Sequence, residues 1–188
     1  LDVTQPASVA ALAERLDGAP LDALICNAGV YLDKGQALSD GYPAQMWADE
    51  FAVNVTGVLS SCTAARDALQ RGNGSVVNIA SMWSWFGNPV APAYGTSKGA
   101  VAALTRSLAV AWGGTGIRVN AVAPGWVETR ISEGARSDPA RRARIDARIP
   151  IGRWAATVEI ARVVAFLLSE DASYVHGAII PVDGGYLA

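Results

Sequence analysis

Tyr94 and Lys98 stand four residues apart in Tyr94-Gly95-Thr96-Ser97-Lys98. On a helix that spacing puts the phenol and the ammonium on one face, a turn apart. A phenol titrates near ~10 and is a poor base at neutral pH. A cation beside it favours phenolate and lowers that value, which would make Tyr94 a general acid or base. Taken alone, the pair also fits an ordinary amphipathic helix edge. Two further residues give it company. Ser81 closes an apolar run upstream, where its hydroxyl could hydrogen-bond a substrate carbonyl or hydroxyl. Asn54 interrupts a long helical pattern, where its amide could order a water beside Lys98. A serine after a strand also serves as a turn or cap, and an asparagine within a helix as a bend.

The elements that must position these groups alternate along the chain. Asp2-Val3-Thr4 reads as the end of a strand, and Val9, Leu12, Ala13 and Leu16 then recur on one face of a helix that Gly18 ends. Residues 21–26 (LDALIC) are a short apolar run, as expected of a strand buried on both sides. A helical pattern spans 44–69 with a bend expected at Asn54, Thr56 and Gly57, and a turn at Gly72-Asn73-Gly74 leads to a strand at 75–80. A helix over 92–112, a strand at 117–123, a helix near 140–148, a helix at 158–168 and a strand at 178–182 complete the chain. Such alternation implies βαβ crossovers and a parallel sheet in one α/β domain over residues 1–188. Ligands of such sheets sit beyond the carboxyl ends of the strands. The residues there are Asn27-Ala28-Gly29, Ser81, Pro124-Gly125 and Asp183-Gly184-Gly185.

In order and approximate spacing, Asn27-Ala28-Gly29, Asn54, Ser81, Tyr94-x-x-x-Lys98, Pro124-Gly125 and the final Val182-Asp183-Gly184-Gly185 resemble the short-chain dehydrogenases/reductases, over essentially the whole chain. The resemblance implies a Rossmann-like doubly wound parallel sheet and hydride transfer between NAD or NADP and a small-molecule carbonyl/alcohol substrate. A 3-oxoacyl-carrier-protein reductase and a sugar or polyol dehydrogenase are the two patterns it suggests. It implies that Tyr94 exchanges the proton, Ser81 polarises the substrate oxygen, Lys98 lowers the Tyr94 pKa and holds the nicotinamide ribose, and Asn54 supports a proton relay. It further implies cofactor contacts from Asp2 and Val3 at the adenine, from Asn27, Ala28 and Gly29 along the cleft, and from Val127 and Thr129, after Pro124-Gly125, at the carboxamide. The helix at 158–168 and the last strand match the family's usual contact region, implying a homodimer or homotetramer. Cys26 departs from the family's usual Asn, and a small neutral side chain still fits there.

The family's phosphate-binding glycine loop follows its first strand and opens a helix. Neither Gly72-Asn73-Gly74 nor Gly113-Gly114-Thr115-Gly116 lies in that context. Because Asp2 matches the end of the family's third strand, the first βαβαβ portion, on the order of 60 residues, is expected to be missing. The strand at 21–26 would then show a free edge. The 188-residue chain alone is expected to bind nicotinamide cofactor poorly and to associate. The competing expectation is a catalytically inactive scaffold or binding domain that keeps the second half of the fold.

Composition narrows the remaining classes. Hydrophobic types make up 51% of the 188 residues, which excludes a disordered tail or a small disulfide scaffold. A net charge of -2 argues against a nucleic-acid partner or a polybasic membrane module. Apolar runs end well short of the ~20 residues of a membrane helix. Cys26 and Cys62, without paired spacing, fit a reducing cytoplasm. A single His176 disfavours a histidine metal site or a Ser-His-Asp triad, and its position beside Gly177 suggests a structural role. Met82, Trp83, Trp85, Phe86 and Trp126 fit a substrate pocket or a core equally well. Seven arginines lie between 130 and 153; they read as a solvated helix face or, more sharply, as a lid with Arg141 and Arg144 attracting an anionic substrate.

Overall fold

A computed structural model describes residues 1–41 and 43–188. Four strands, β1 (Ala23–Cys26), β2 (Ser75–Ile79), β3 (Arg118–Pro124) and β4 (Ile179–Val182), form one parallel sheet in the order β1-β2-β3-β4. Each crossover carries helix: α2 (Ala44–Phe51) and α3 (Gly57–Gly72) join β1 to β2, and α4 (Pro92–Trp112) joins β2 to β3. The short α5 (Glu133–Arg136), α6 (Pro139–Asp146) and α7 (Thr157–Leu168) lie between β3 and β4, and α1 (Pro6–Arg15) precedes β1.

The alternation of side chains in β2 and β3 feeds two cores. Val76 and Val119 pack with Cys62, Leu69, Val101 and Trp112 of α3 and α4, whereas Val77 and Val122 pack with Val164 and Leu167 of α7. All four valines are fully buried, the signature of a strand covered on both faces. Burying such a side chain contributes about 1.5–3 kcal/mol, so these two strands form the rigid centre of the molecule. Helices therefore cover both faces of the sheet, the doubly wound arrangement.

Two expectations about the front of the chain need correction. Asp2-Val3-Thr4 is not a strand: Asp2 Oδ1 accepts the Thr4 backbone N–H at 2.9 Å and its hydroxyl at 2.7 Å, a local turn leading into α1. Such side-chain-to-backbone bonds replace ladder bonds where no strand lies alongside. Nor is β1 buried on both sides. It pairs only with β2, and its burial alternates, with Ile25 48% exposed and Cys26 buried. Its outer edge is unpaired among the described residues.

The predicted face of α1 (Val9, Leu12, Ala13, Leu16) is half-buried, and Arg71 of α3 ties down the chain beyond it through bonds to the Leu16 and Ala19 carbonyls. The bend expected near Asn54 is instead a π-helical turn, Ala52–Thr56, that links α2 and α3 without a break. Gly57 follows it because a Cβ there would lie 2.6 Å from Val3 Cγ2. His176 is structural: Nδ1 accepts the Val119 N–H at 3.1 Å, and Nε2 lies 2.8 Å from the Ala109 carbonyl. Cys26 and Cys62, distant in sequence, lie with their sulfurs 3.7 Å apart as free thiols in the core. The thiol contact and burial push Cys62 well above the ordinary thiol range. No helix of the described residues is long and apolar enough to cross a membrane.

Candidate active site

Beyond the carboxyl ends of the strands opens a cavity of about 1000 Å³, at the upper end of the ~300–1,000 Å³ usual for small-molecule sites. Its wall is drawn from three of the four predicted strand ends and from α4: Asn27 and Gly29 after β1, Ser81 after β2, Tyr94 and Lys98 from α4, and Pro124, Gly125, Val127 and Thr129 after β3, whereas Asp183, Gly184 and Gly185 after β4 do not line it. Residues as far apart in sequence as Asn27 and Thr129 thus meet at one end of the sheet because parallel strands all point there. Asp2, Val3 and Ala28 do not line this cavity. Asp2 and Ala28 are exposed, and Val3 is half-buried against Gly57.

Pro92 opens α4, where its missing N–H costs nothing, and places Tyr94 in the first turn. The carboxylate of Asp33, in the loop after β1, caps that turn: Oδ2 accepts the N–H groups of Ala93 at 2.6 Å and Tyr94 at 3.3 Å. An acid at a helix N-terminus satisfies free donors and complements the helix dipole. The Tyr94 ring is held between Tyr31 (centroids 4.8 Å apart) and Trp83 (5.4 Å). One turn on, Lys98 is 5% exposed, and its Nζ donates to the Ile79 carbonyl at 2.7 Å and lies 5.6 Å from the Tyr94 ring centre.

Asn54, fully buried in the π-helical turn, uses its amide in both directions. Oδ1 accepts the Val30 N–H at 2.8 Å, and Nδ2 donates to the Val30 carbonyl at 2.9 Å and to Ser97 Oγ at 3.1 Å. It therefore clamps the loop after β1 to α4. Gly29 lies between the relay groups: a Cβ there would be 3.4 Å from Asn54 Oδ1 and 3.7 Å from Lys98 Nζ. π-Helical turns concentrate at functional sites, where the widened ladder redirects a side chain. Ser81 Oγ accepts the Trp83 N–H at 3.3 Å, and Ser84 Oγ donates to the Lys98 carbonyl, which ties the loop after β2 to α4.

The electrostatics differ from the sequence reading in one respect. Burial raises the Tyr94 phenol above its ordinary value, and Glu50, Tyr31 and Asp33 add to the rise. The ammonium of Lys98 does not reverse this, because burial lowers Lys98 itself to about 8 against the opposing pull of Glu50. Desolvation outweighs the pair attraction at this site, so the phenol holds its proton at neutral pH.

Asp33 and Glu50 are functional-site residues that the sequence reading missed. They are 1% and 0% exposed, and Asp33 Oδ1 and both Glu50 carboxyl oxygens lack a hydrogen-bond partner among the described residues. Burial, then Asp33, pushes Glu50 up to about 7, and burial likewise raises Asp33. Two carboxyls so placed behind Tyr94 and Lys98 cannot both ionise cheaply. The one sequence signal was an acid in an apolar helix stretch beside Phe51, and it names no partner.

The aromatic loop divides in two. Met82, Trp83 and Trp126 line the cavity, whereas Trp85 is 45% exposed and Phe86 stacks on Tyr186. The arginines divide as well. Arg142 pairs with Asp146, Arg153 with Glu159, and Arg148 covers the Phe86 and Tyr186 rings. Arg141 alone of the seven lines the cavity, and Arg144 is exposed outside it. No group of histidine, cysteine and acid side chains among the described residues could hold a metal ion.

A family model described as enoyl-(acyl carrier protein) reductase matches residues 1–187. The chain is 37% identical to a 2-dehydro-3-deoxy-D-gluconate 5-dehydrogenase of Bacillus subtilis, over all of this chain and 74% of that one. It is 42% identical to a cis-4-hydroxycyclohexanecarboxylate dehydrogenase of Sinomonas cyclohexanicum, over all of this chain and 75% of the other. Among solved structures, a gluconate 5-dehydrogenase of Burkholderia cenocepacia in complex with NADP and tartrate superposes with a TM-score of 0.91 at 32% identity, over all of this chain and 73% of that one.

Proposed function

We propose, from the premise that this chain belongs to the short-chain dehydrogenase/reductase family, that it is an NAD(P)-dependent oxidoreductase interconverting a secondary alcohol and a ketone. The observation that carries this reading is the meeting of Tyr94, Lys98 and Ser81 in one cavity at the carboxyl end of a parallel sheet. Nicotinamide, when bound, supplies the hydride or accepts it. The residues present fit its nicotinamide-ribose half: Lys98 offers a buried ammonium beside Gly29, and Val127 and Thr129 stand at the wall after Pro124-Gly125. Asn27, Ala28 and Gly29 would border the ribose, and Asp2 and Val3 the adenine.

Each of the chain's own groups then has one task. Tyr94 gives its proton to the substrate oxygen when a ketone is reduced and takes it back when an alcohol is oxidised. Ser81 donates a hydrogen bond to that oxygen and so favours the charge that develops there. Lys98 holds the ribose and the local positive potential, and Asn54 fixes the loop and helix that carry Gly29 and Tyr94. Trp83 and Tyr31 exclude water from around the phenol. The gluconate-type dehydrogenases among the relatives favour a sugar or polyol type of substrate over an acyl-carrier one. Residues 1–188 act as parts of a single domain, and exposed Val158 and Phe166 on α7 support a homodimer or homotetramer.

Tyr94→Phe removes only the exchangeable proton. In a full-length parent, turnover with any accepted alcohol or ketone, assayed with NAD and with NADP, is expected to fall roughly 10³-fold while the circular dichroism spectrum stays unchanged. Near-parental turnover in the variant would sink the assignment.

A further inference from the structure

The charge lining the cavity does not match the charge of the chain. The chain carries 17 acidic and 15 basic residues, yet the cavity wall includes Lys34, Lys98 and Arg141 and no aspartate or glutamate among the described residues. Lys98 is already committed to Ile79 O. Lys34 and Arg141 are not: neither takes part in any of the ion pairs among the described residues.

Both lie one side chain away from Tyr94. Tyr31 is the bridge, its ring 4.8 Å from that of Tyr94. Lys34 Nζ sits 5.3 Å from the Tyr31 ring centre, and the Arg141 guanidinium lies close enough to Tyr31 for its charge to oppose the rise that burial gives the phenol. They come from separate elements, the loop after β1 and helix α6, so they converge on the space over Tyr31 from two sides. The acids that influence Tyr31, Asp33 and Glu50, are buried and do not line the cavity. Two cations without carboxylate partners, facing an aromatic-walled cavity, will be met by an anion brought from outside.

We propose that Lys34 and Arg141 form the acid-recognising end of the substrate site. The substrate would be a short hydroxy or oxo acid, its carboxylate between the two cations and its carbinol or carbonyl carbon a few bonds away at Tyr94 and Ser81. Arg141 offers the carboxylate a planar fork and Lys34 a mobile point charge. Tyr31, Trp83 and Trp126 enclose the carbon skeleton between the two ends. This inference rests on the oxidoreductase reading of the same cavity, and the experiment separates the two.

The test compares hydroxy acids with their neutral carboxamides, cis-4-hydroxycyclohexanecarboxylate and D-gluconate among them, in the parent enzyme, in Lys34→Gln/Arg141→Gln, and in Arg141→Lys. The parent is expected to favour acids over amides at least tenfold in kcat/KM. In the double variant the KM for acids should rise at least tenfold, with kcat within twofold and the KM for amides unchanged, so that the preference collapses. Arg141→Lys, which keeps the charge, should retain most of it. A parent indifferent to the charge, or a double variant with the preference intact, overturns the proposal. So does a rise in KM confined to NADP and absent with NAD, which would assign the cations to the cofactor phosphate. Failure of the oxidoreductase reading looks different: acids and amides alike would show no turnover with either cofactor in any variant.

Discussion

The floor and the rim of the cavity are built on opposite principles. In and just beneath the floor, Asp33, Asn54 and Lys98 are at most 5% exposed, and each is bonded to the backbone of another element: Asp33 to α4, Asn54 to the loop after β1, and Lys98 to β2. On the rim, Lys34 is exposed and Arg141 half-buried, and Lys34 is placed by contact with the Tyr31 ring more than by a bond network. A floor group that shifts must break several buried hydrogen bonds, each costly to leave unmade. A rim group can be exchanged at little structural cost. The difference assigns the proton-transfer step to the floor and the choice of substrate to the rim.

Lys98→Met probes this contrast most strongly. The nearly isosteric chain removes the ammonium and leaves the Ile79 carbonyl without its donor. Turnover should drop roughly 10³-fold for every substrate, charged or neutral, and a loss confined to acids would move Lys98 from the floor to the rim. Glu50→Gln asks whether the buried carboxyl pair titrates as a unit. The carboxyl of Glu50 is pushed from an ordinary 4.5 to about 7 in the folded chain. The folded state therefore keeps a proton that the unfolded chain releases first, and stability falls as pH rises from the unfolded value through about 7. The span is roughly 3 kcal/mol. Gln carries no such dependence, so its melting temperature relative to the parent should climb between about pH 5 and about pH 8. A gap that stays constant across that range would mean Glu50 does not titrate there. The smallest expected effect is that of Arg144→Gln, outside the cavity: kcat/KM for acids should stay within about twofold, as for most surface substitutions. A change as large as that expected of Arg141 would show the rim to be a diffuse field, with no defined pair.

What the sequence disclosed follows the same division. Helix α4 was predictable to the residue, because Pro92 marks its start and Gly113 its end. The wall positions followed from parallel-sheet geometry, since each strand's carboxyl end is readable from where its apolar run stops. The burial of β1 was not readable: LDALIC is as apolar as SVVNIA, and the difference lies in whether a neighbouring strand exists. Asp33 and Glu50 stayed hidden because their contact crosses a loop and a helix, with no fixed spacing to betray it. The contact between Cys26 and Cys62 stayed hidden for the same reason. Position along α6 decided between arginines: Arg141, in its first turn, lines the cavity, and Arg144, a turn further on, does not, and no composition count distinguishes the two.

The π-helical turn at Ala52–Thr56 has a consequence for how this protein can change over generations. A π turn holds one residue more than the α turns on either side, so α2 and α3 share a direction but are out of register by about 100° of rotation. Deleting any one residue from the turn would leave a smooth helix with nearly every local preference satisfied. It would also spin Glu50 and the rest of α2 away from Asp33 and α4. The segment works as a length standard, more tolerant of exchanged side chains than of a lost residue.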